Sequence, residues 1–264
     1  MKDSGGNPWD GGARKFARYA DTPTGRLRFT LIGETLIRHL PPPPLRVLDA
    51  GCGPAEMAIL LAERGDVVTA VDCAGEMLRI AGERAERLTP AAQARLHLAH
   101  GDLFEADTLW PAESFDLLIA HTLLDYLPDG CDLLARLLKL LRAGGMISLV
   151  RINQASQVLR AALNSHDLDA AVRSLTDPTV QASMFGLAGT GSTASQAAEQ
   201  LARAGVELVA TYGIRALADY LPACLCDEPA QYADLLRLER AVCDQSPYRE
   251  MARYIHLVGA KPLS

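Results

Sequence analysis

From Leu45 to Asn153, short apolar runs alternate with amphipathic stretches, and few folds accept that rhythm. LRVLDA (45–50), DVVTAVD (66–72), RLHLAHGD (95–102), FDLLIAHTLL (115–124) and MISLVRIN (146–153) read as strands. EMAILLAERG (56–65), closed by Gly65, GEMLRIAGERAERL (75–88) and CDLLARLLKLLRAGG (131–145) read as the helices between them. Strands joined through helices run parallel, with helices on both faces of the sheet. The spacing therefore predicts an α/β, doubly wound fold.

The flanks complete it. ARKFARYADTPTGRLRFTLIGETLIRHL (13–40) carries apolar residues at helical spacing, and PPPP (41–44) ends any helix, so residues 1–44 read as an N-terminal helical arm and 45–264 as the main domain. Residues 154–192 break the alternation and read as a helical cap inserted after the fifth strand, its second half, TDPTVQASMFGLAGTGST (176–193), loop-like. A helix (195–205) and two further strands, VELVATYGIR (206–215) and REMARYIHLVGAKP (249–262), follow without a simple crossover. The expectation is a mostly parallel seven-stranded sheet with an antiparallel edge.

Apolar residues make up 49% and charged residues 22% of the chain, a globular balance. The formal net charge of -6 argues against a protein that grips nucleic acid mainly by its phosphates, and DNA is not expected as a partner. No run reaches the roughly 18 apolar residues of a membrane span, and MKDSGGNPWDGG has no apolar signal core. The expected location is the cytoplasm. Cys52, Cys73, Cys131, Cys224, Cys226 and Cys243 form no C-x-x-C pair, so all six read as reduced thiols with no metal site.

The glycine turn in VLDAGCGPAE (47–56) narrows the ligand. A dinucleotide turn wants a third glycine where this chain has Glu56, and a carboxylate there opposes a pyrophosphate. Asp49 at a strand end suits a cationic ligand, Gly51 and Gly53 let backbone approach it, and Cys52 is held between them. Asp72 ends the next strand, where a carboxylate takes two ribose hydroxyls. Asp102 can accept from an exocyclic amine while Leu103 covers a purine face. Asp49 or Asp72 alone could instead cap the following helix, and His121 could be a satisfied strand-end histidine. Together they describe a ligand with a ribose, an amine and positive charge.

That set resembles the class I S-adenosylmethionine-dependent methyltransferases, over about Arg46 to Val150. The resemblance implies a Rossmann-like methyltransferase fold with S-adenosylmethionine as cofactor. Asp49 to Gly53 would line its methionine and ribose portions, Asp72 would bind the ribose hydroxyls, and Asp102 with Leu103 would hold adenine. His121 would lie beside the sulfonium and the substrate. Ala55 stands where many such enzymes have glycine.

Three further stretches, KFARYADTPTGRLR (15–28), GIRALADYL (213–221) and LRLERAVCDQSPYREMARYIHLVGAKP (236–262), are similar to the bacterial tRNA 5-carboxymethoxyuridine methyltransferase group. By that similarity Arg28 would contact the cofactor carboxylate, and Arg215 and Tyr220 would lie toward the substrate. A carboxylate acceptor is already ionised at neutral pH and needs alignment rather than a base. Arg151 and Arg215 are candidates to hold it, or each forms an ordinary ion pair. The implied acceptor is a modified tRNA, its phosphates met chiefly by Arg14, Lys15, Arg18, Arg26 and Arg28. Against that, the cap carries Asp167, Asp169 and Asp177 against Arg160 and Arg173. The alternative is a small metabolite under the cap, using Tyr19, His121, Tyr126, Met184 and Phe185. A third reading is a nucleoside-binding module without catalysis.

Overall fold

The computed structural model describes residues 7–128, 130–182 and 185–263. Its arm is two helices, α1 (Asp10–Ala20) and α2 (Pro23–Ile37), rather than one. The break is written in Asp21-Thr22-Pro23. Thr22 Oγ1 accepts the Gly25 N–H at 3.1 Å, and Pro23 takes a first-turn position that needs no donor. Gly25 is required by contact, since a Cβ there would sit 2.0 Å from the Tyr19 carbonyl oxygen.

After the prolines come β1 (Arg46–Ala50), α3 (Glu56–Arg64), β2 (Val67–Asp72), α4 (Gly75–Ala85), β3 (Leu96–His100), β4 (Phe115–His121) and β5 (Leu141–Ile152). Further on, β6 (Thr179–Ala182) and β7 (Leu187–Thr190) form a hairpin, and β8 (Glu207–Ile214) and β9 (Tyr254–Ala260) close the main sheet. The seven strands lie in the order β3-β2-β1-β4-β5-β9-β8, with β9 antiparallel to both β5 and β8. Chain order reverses between β1 and β4, and the crevice beyond their C-terminal ends is where such sheets hold ligands.

Alternate residues of each strand feed opposite faces. Val47, Leu117 and Val150 pack with Leu27, Leu31, Ile32 and Leu61 under α2 and α3, while Leu48, Leu118 and Leu149 pack with Leu133, Leu137 and Leu201 on the other side. Among the described residues no helix is long and apolar enough to cross a membrane.

Two elements differ from the sequence reading. The helix expected over 131–145 spans only Leu133–Leu140, and β5 begins at once, because Leu141 pairs with Phe115 and Arg142 Nε reaches Asp116 at 2.5 Å. Gly144, at φ +68°, then donates to the Lys261 carbonyl at 2.9 Å. The second half of the cap is not a loop. It is the β6/β7 hairpin, tied to the sheet where Asn153 bridges Ser192.

Candidate active site

A cavity of about 300 Å³ opens beyond β1, β2 and β4, walled also by α1, α2, β9 and the hairpin. Arg28, Asp49, Gly51, Cys52, Gly53, Asp72, Asp102, Leu103 and His121 all line it. The strand-end logic brings Asp49, Gly51, Cys52, Gly53, Asp72, Asp102, Leu103 and His121 together at the C-terminal ends of β1 to β4, and Arg28 joins them from α2. Asp49 is held beside β2 through its register with Ala70.

The loop from β1 to α3 puts three residues out of five in the left-handed region, Gly51 (φ +72°), Gly53 (φ +54°) and Ala55 (φ +67°). Its amides turn inward, with Gly51 and Cys52 donating to the Val71 carbonyl at 2.9 and 3.0 Å. A Cβ on Gly53 would lie 3.8 Å from Phe16, on the cavity wall. Ala55 shows why glycine suits its place, since a left-handed alanine costs roughly 1–2 kcal/mol.

The acids differ in state. Burial, then Glu56 and Asp72, pushes the Asp49 carboxyl up to about 7. Asp72 is also raised by burial, though its oxygens accept from Gly53 N–H and Ala74 N–H at 2.8 Å each. One lone pair on each oxygen is thus used and another remains for a ligand hydroxyl. Asp102 Oδ1 accepts the Phe104 N–H at 2.9 Å, and Leu103, Phe104 and Leu133 form an apolar wall nearby. Glu56, the residue that argued against a pyrophosphate, lies on the wall paired with Arg84.

Opposite the acids stands a cationic group. Arg28 is 3% exposed, its guanidinium 4.2 Å from the Tyr254 ring centroid and its Nη2 3.2 Å from Thr122 Oγ1, while its Nε is buried without a partner. Arg253 also lines the cavity with an unpartnered buried Nη1, 5.6 Å from the same ring. Arg215 is third, at 6.0 Å. Burial would raise the Tyr254 phenol, but Arg28, Arg253 and Arg215 outweigh it and bring it down to about 8. Burial and Arg253 push Arg160 of the cap down, so the cap adds a cation to this group despite its acidic surface.

The other three acceptor candidates lie off the wall. Arg151, near the end of β5, donates from Nε to Asp125 Oδ1 at 2.9 Å and from Nη1 to Gln200 at 2.7 Å. Arg215 donates to Tyr19 Oη at 2.7 Å and pairs with Asp219. Its left-handed backbone (φ +60°) is held by Glu239, which accepts from the amides of Ala216, Leu217 and Ala218. Tyr220 Oη donates to the Met251 carbonyl at 2.9 Å. Of the small-acceptor candidates, Tyr126 and Phe185 line the cavity, Tyr19 does not, and Met184 lies outside the described residues.

Sequence reasoning missed Arg253, Tyr254 and Thr122. Tyr254 opens β9 and Arg253 directly precedes it, and only the insertion of that strand beside β5 brings them to the cleft. It also missed Trp9, whose ring lines the cavity edge-on to Tyr126 at 5.1 Å and Phe185 at 5.0 Å. Cys52, Cys73, Cys131, Cys226 and Cys243 are free thiols.

The arrangement fits a zwitterionic nucleoside. An unpaired buried guanidinium nitrogen at one end asks for a carboxylate, and Asp72 offers free lone pairs for hydroxyls. Comparisons with known proteins agree. Residues 47–145 match the family model described as "Methyltransferase domain". The chain is 31% identical over 259 residues to the tRNA 5-carboxymethoxyuridine methyltransferase of Escherichia coli (strain K12), covering 96% of this chain and 95% of that one. It is 32% identical over 145 residues to the trans-aconitate 2-methyltransferase of Azoarcus sp. (strain BH72), covering 53% and 49%. Among solved structures, a S-adenosylmethionine-dependent methyltransferase from Thermotoga maritima superposes with a TM-score of 0.62 at 15% identity, covering 96% of this chain and 98% of that one.

Proposed function

The chain belongs to the S-adenosylmethionine-dependent methyltransferases, and on that premise we propose that it esterifies a carboxylate, that of a 5-carboxymethoxyuridine in tRNA. The observation that carries the reading is the excess of buried guanidinium nitrogens around Tyr254. Arg28, Arg253 and Arg215 converge there with unpartnered nitrogens, and Asp219, on Arg215, is the acid paired with them among the described residues. Uncompensated buried cations are costly, and an anionic ligand offsets that cost.

When bound, the cofactor supplies an electrophilic methyl group on a sulfonium. The residues of this chain align and desolvate. Arg28 holds the cofactor carboxylate, Asp72 the ribose hydroxyls, and Asp102 with Leu103 the adenine. Arg253, steadied by the Tyr254 ring, holds the acceptor carboxylate in line. Trp9, Tyr126 and Phe185 shed water from the cleft. No side chain takes a proton, because the acceptor is ionised before it binds.

The full-length match to a tRNA-modifying relative supports tRNA as the carrier of that carboxylate. A small carboxylic acid is the second reading, favoured by the cap hairpin, whose Val180 and Phe185 close directly on the cavity. Both are tested by incubating the protein and radiolabelled S-adenosylmethionine with tRNA from a strain lacking wobble methyl esters and, separately, with a small-molecule extract. Label in tRNA that mild alkali releases is the expected result. Alkali-labile label found only in the extract moves the acceptor to a metabolite, and alkali-stable label overturns the ester.

A further inference from the structure

Behind the cavity wall runs a chain of four side chains. His121, Val150 and His256 are in register across β4, β5 and β9, and Ser148 precedes Val150 by two on the same face. His121 Nε2 lies 2.7 Å from Ser148 Oγ, Ser148 Oγ 2.9 Å from His256 Nε2, and His256 Nδ1 2.9 Å from Thr35 Oγ1 on α2. Thr35 Oγ1 is in turn 2.7 Å from the Leu31 carbonyl oxygen. Ser148 and His256 are 0% exposed and Thr35 1%.

The far end of the chain sets every proton in it. A carbonyl oxygen only accepts, so the one hydroxyl proton of Thr35 is committed to helix α2, where Leu31 and Ile32 offer carbonyls. Thr35 Oγ1 must then accept from His256 Nδ1–H. Burial, with a lesser contribution from His39, brings His256 down to about 3, so the ring is neutral and has no second proton. Its Nε2 therefore accepts the Ser148 hydroxyl, and Ser148 Oγ accepts from His121 Nε2–H. Burial, His256 and Arg28 hold His121 well below the usual histidine range, so it too is neutral. Nδ1 is left bare. That atom is buried with no partner, in a ring that lines the cavity next to Thr122, the residue Arg28 touches.

We propose that Thr35, His256 and Ser148 form a tautomer lock that presents His121 Nδ1 as a fixed hydrogen-bond acceptor, and that the ligand group it receives is the α-ammonium of S-adenosylmethionine. An amino-acid terminus carries its cation and anion on one carbon, so its site needs a donor and an acceptor side by side. Arg28 is the donor and His121 the acceptor. His121 then touches the cofactor, and Thr35 is a positioning residue three side chains behind it. The assignment is independent of the methyl acceptor.

Histidine ring nitrogen NMR on the uniformly ¹⁵N-labelled protein at neutral pH reads the lock directly. His121 is expected as the Nε2–H tautomer, with its Nδ1 resonance moving on addition of S-adenosylhomocysteine; an Nδ1–H tautomer overturns the proposal. Thr35→Val removes the oxygen that pins His256 and is expected to reverse the chain, turning Nδ1 into a donor. Calorimetry should then show S-adenosylhomocysteine binding weakened about tenfold or more, with Thr35→Ser restoring it. The deaminated analogue of S-adenosylhomocysteine should bind parent and Thr35→Val alike. An equal loss for both ligands reports general damage to the cavity and overturns the ammonium assignment.

Discussion

Asp49 shows what a single residue contributes to binding. Its carboxyl sits near pH 7 because burial, Glu56 and Asp72 all oppose its charge. An unfolded aspartate titrates near 3.9, so between about pH 4 and 7 the folded chain keeps a proton that the unfolded chain has lost. Stability of the ligand-free protein therefore falls as pH rises through that window. A cationic cofactor favours the ionised form, so binding expels the proton, and affinity should rise between pH 6 and 8, by up to about tenfold per unit below the folded value. Asp49→Asn is expected to flatten that slope and to raise the melting temperature of the ligand-free protein at pH 8. Calorimetric titration with S-adenosylmethionine at pH 6, 7 and 8 checks this, and equal slopes in both proteins would assign the proton elsewhere. The placement of Asp49, Asp72 and Asp102 was legible because a strand end fixes direction. Arg253 and Tyr254 carry no such mark, since an arginine and a tyrosine at the start of a strand look like any edge.

Among the elements, one side chain of α4 ties the arm to the cavity wall. Arg84 Nη2 donates to the Ala17 carbonyl at 3.1 Å and to Asp21 Oδ1 at 2.9 Å, and its other nitrogen pairs with Glu56 on the cavity wall. The same guanidinium thus closes α1 over the cleft and neutralises an acid inside it. Arg84→Ala should speed proteolysis within residues 13–30 and weaken S-adenosylhomocysteine binding several-fold, because Glu56 is left buried and unpaired. In the parent protein the ligand should slow the same cleavage, and cleavage indifferent to ligand would detach the arm from the site. Helical spacing made α1 and α2 readable as one stretch but not their division, which Thr22 and Gly25 decide through local contacts. The start of β5 at Leu141 was hidden for a different reason. LLKLLR suits a helix, and pairing with Phe115 overrides that preference.

At the scale of the molecule, charge is sorted. The chain is acidic overall, with a net charge of -6, while Arg28, Arg253 and Arg215 gather around Tyr254 beside one cleft. Exposed cations of the arm include Arg14, Lys15, Arg18 and Arg26; Arg28, counted with them from sequence, is buried and lines the cavity, and Arg14 is held by Glu76 at 2.8 Å. A tRNA bound through this surface should show a slope of log affinity against log salt between about -2 and -4. Filter binding from low to physiological salt measures it, and a far steeper slope would require a basic surface other than the arm. The succession of parallel strands and helices was readable up to β5 from the alternation alone. The place of β9 was not, because nothing in its residues distinguishes a strand inserted between β5 and β8 from one added outside. That insertion governs when the enzyme can come into being. Arg28 is translated early and Tyr254 late, and the guanidinium rests on a ring that arrives only with the last strand of the sheet. A growing chain on the ribosome therefore carries Asp49, Asp72 and Asp102 but lacks the wall that Arg253 and Tyr254 supply, and the whole cavity exists only in chains whose synthesis has passed β9.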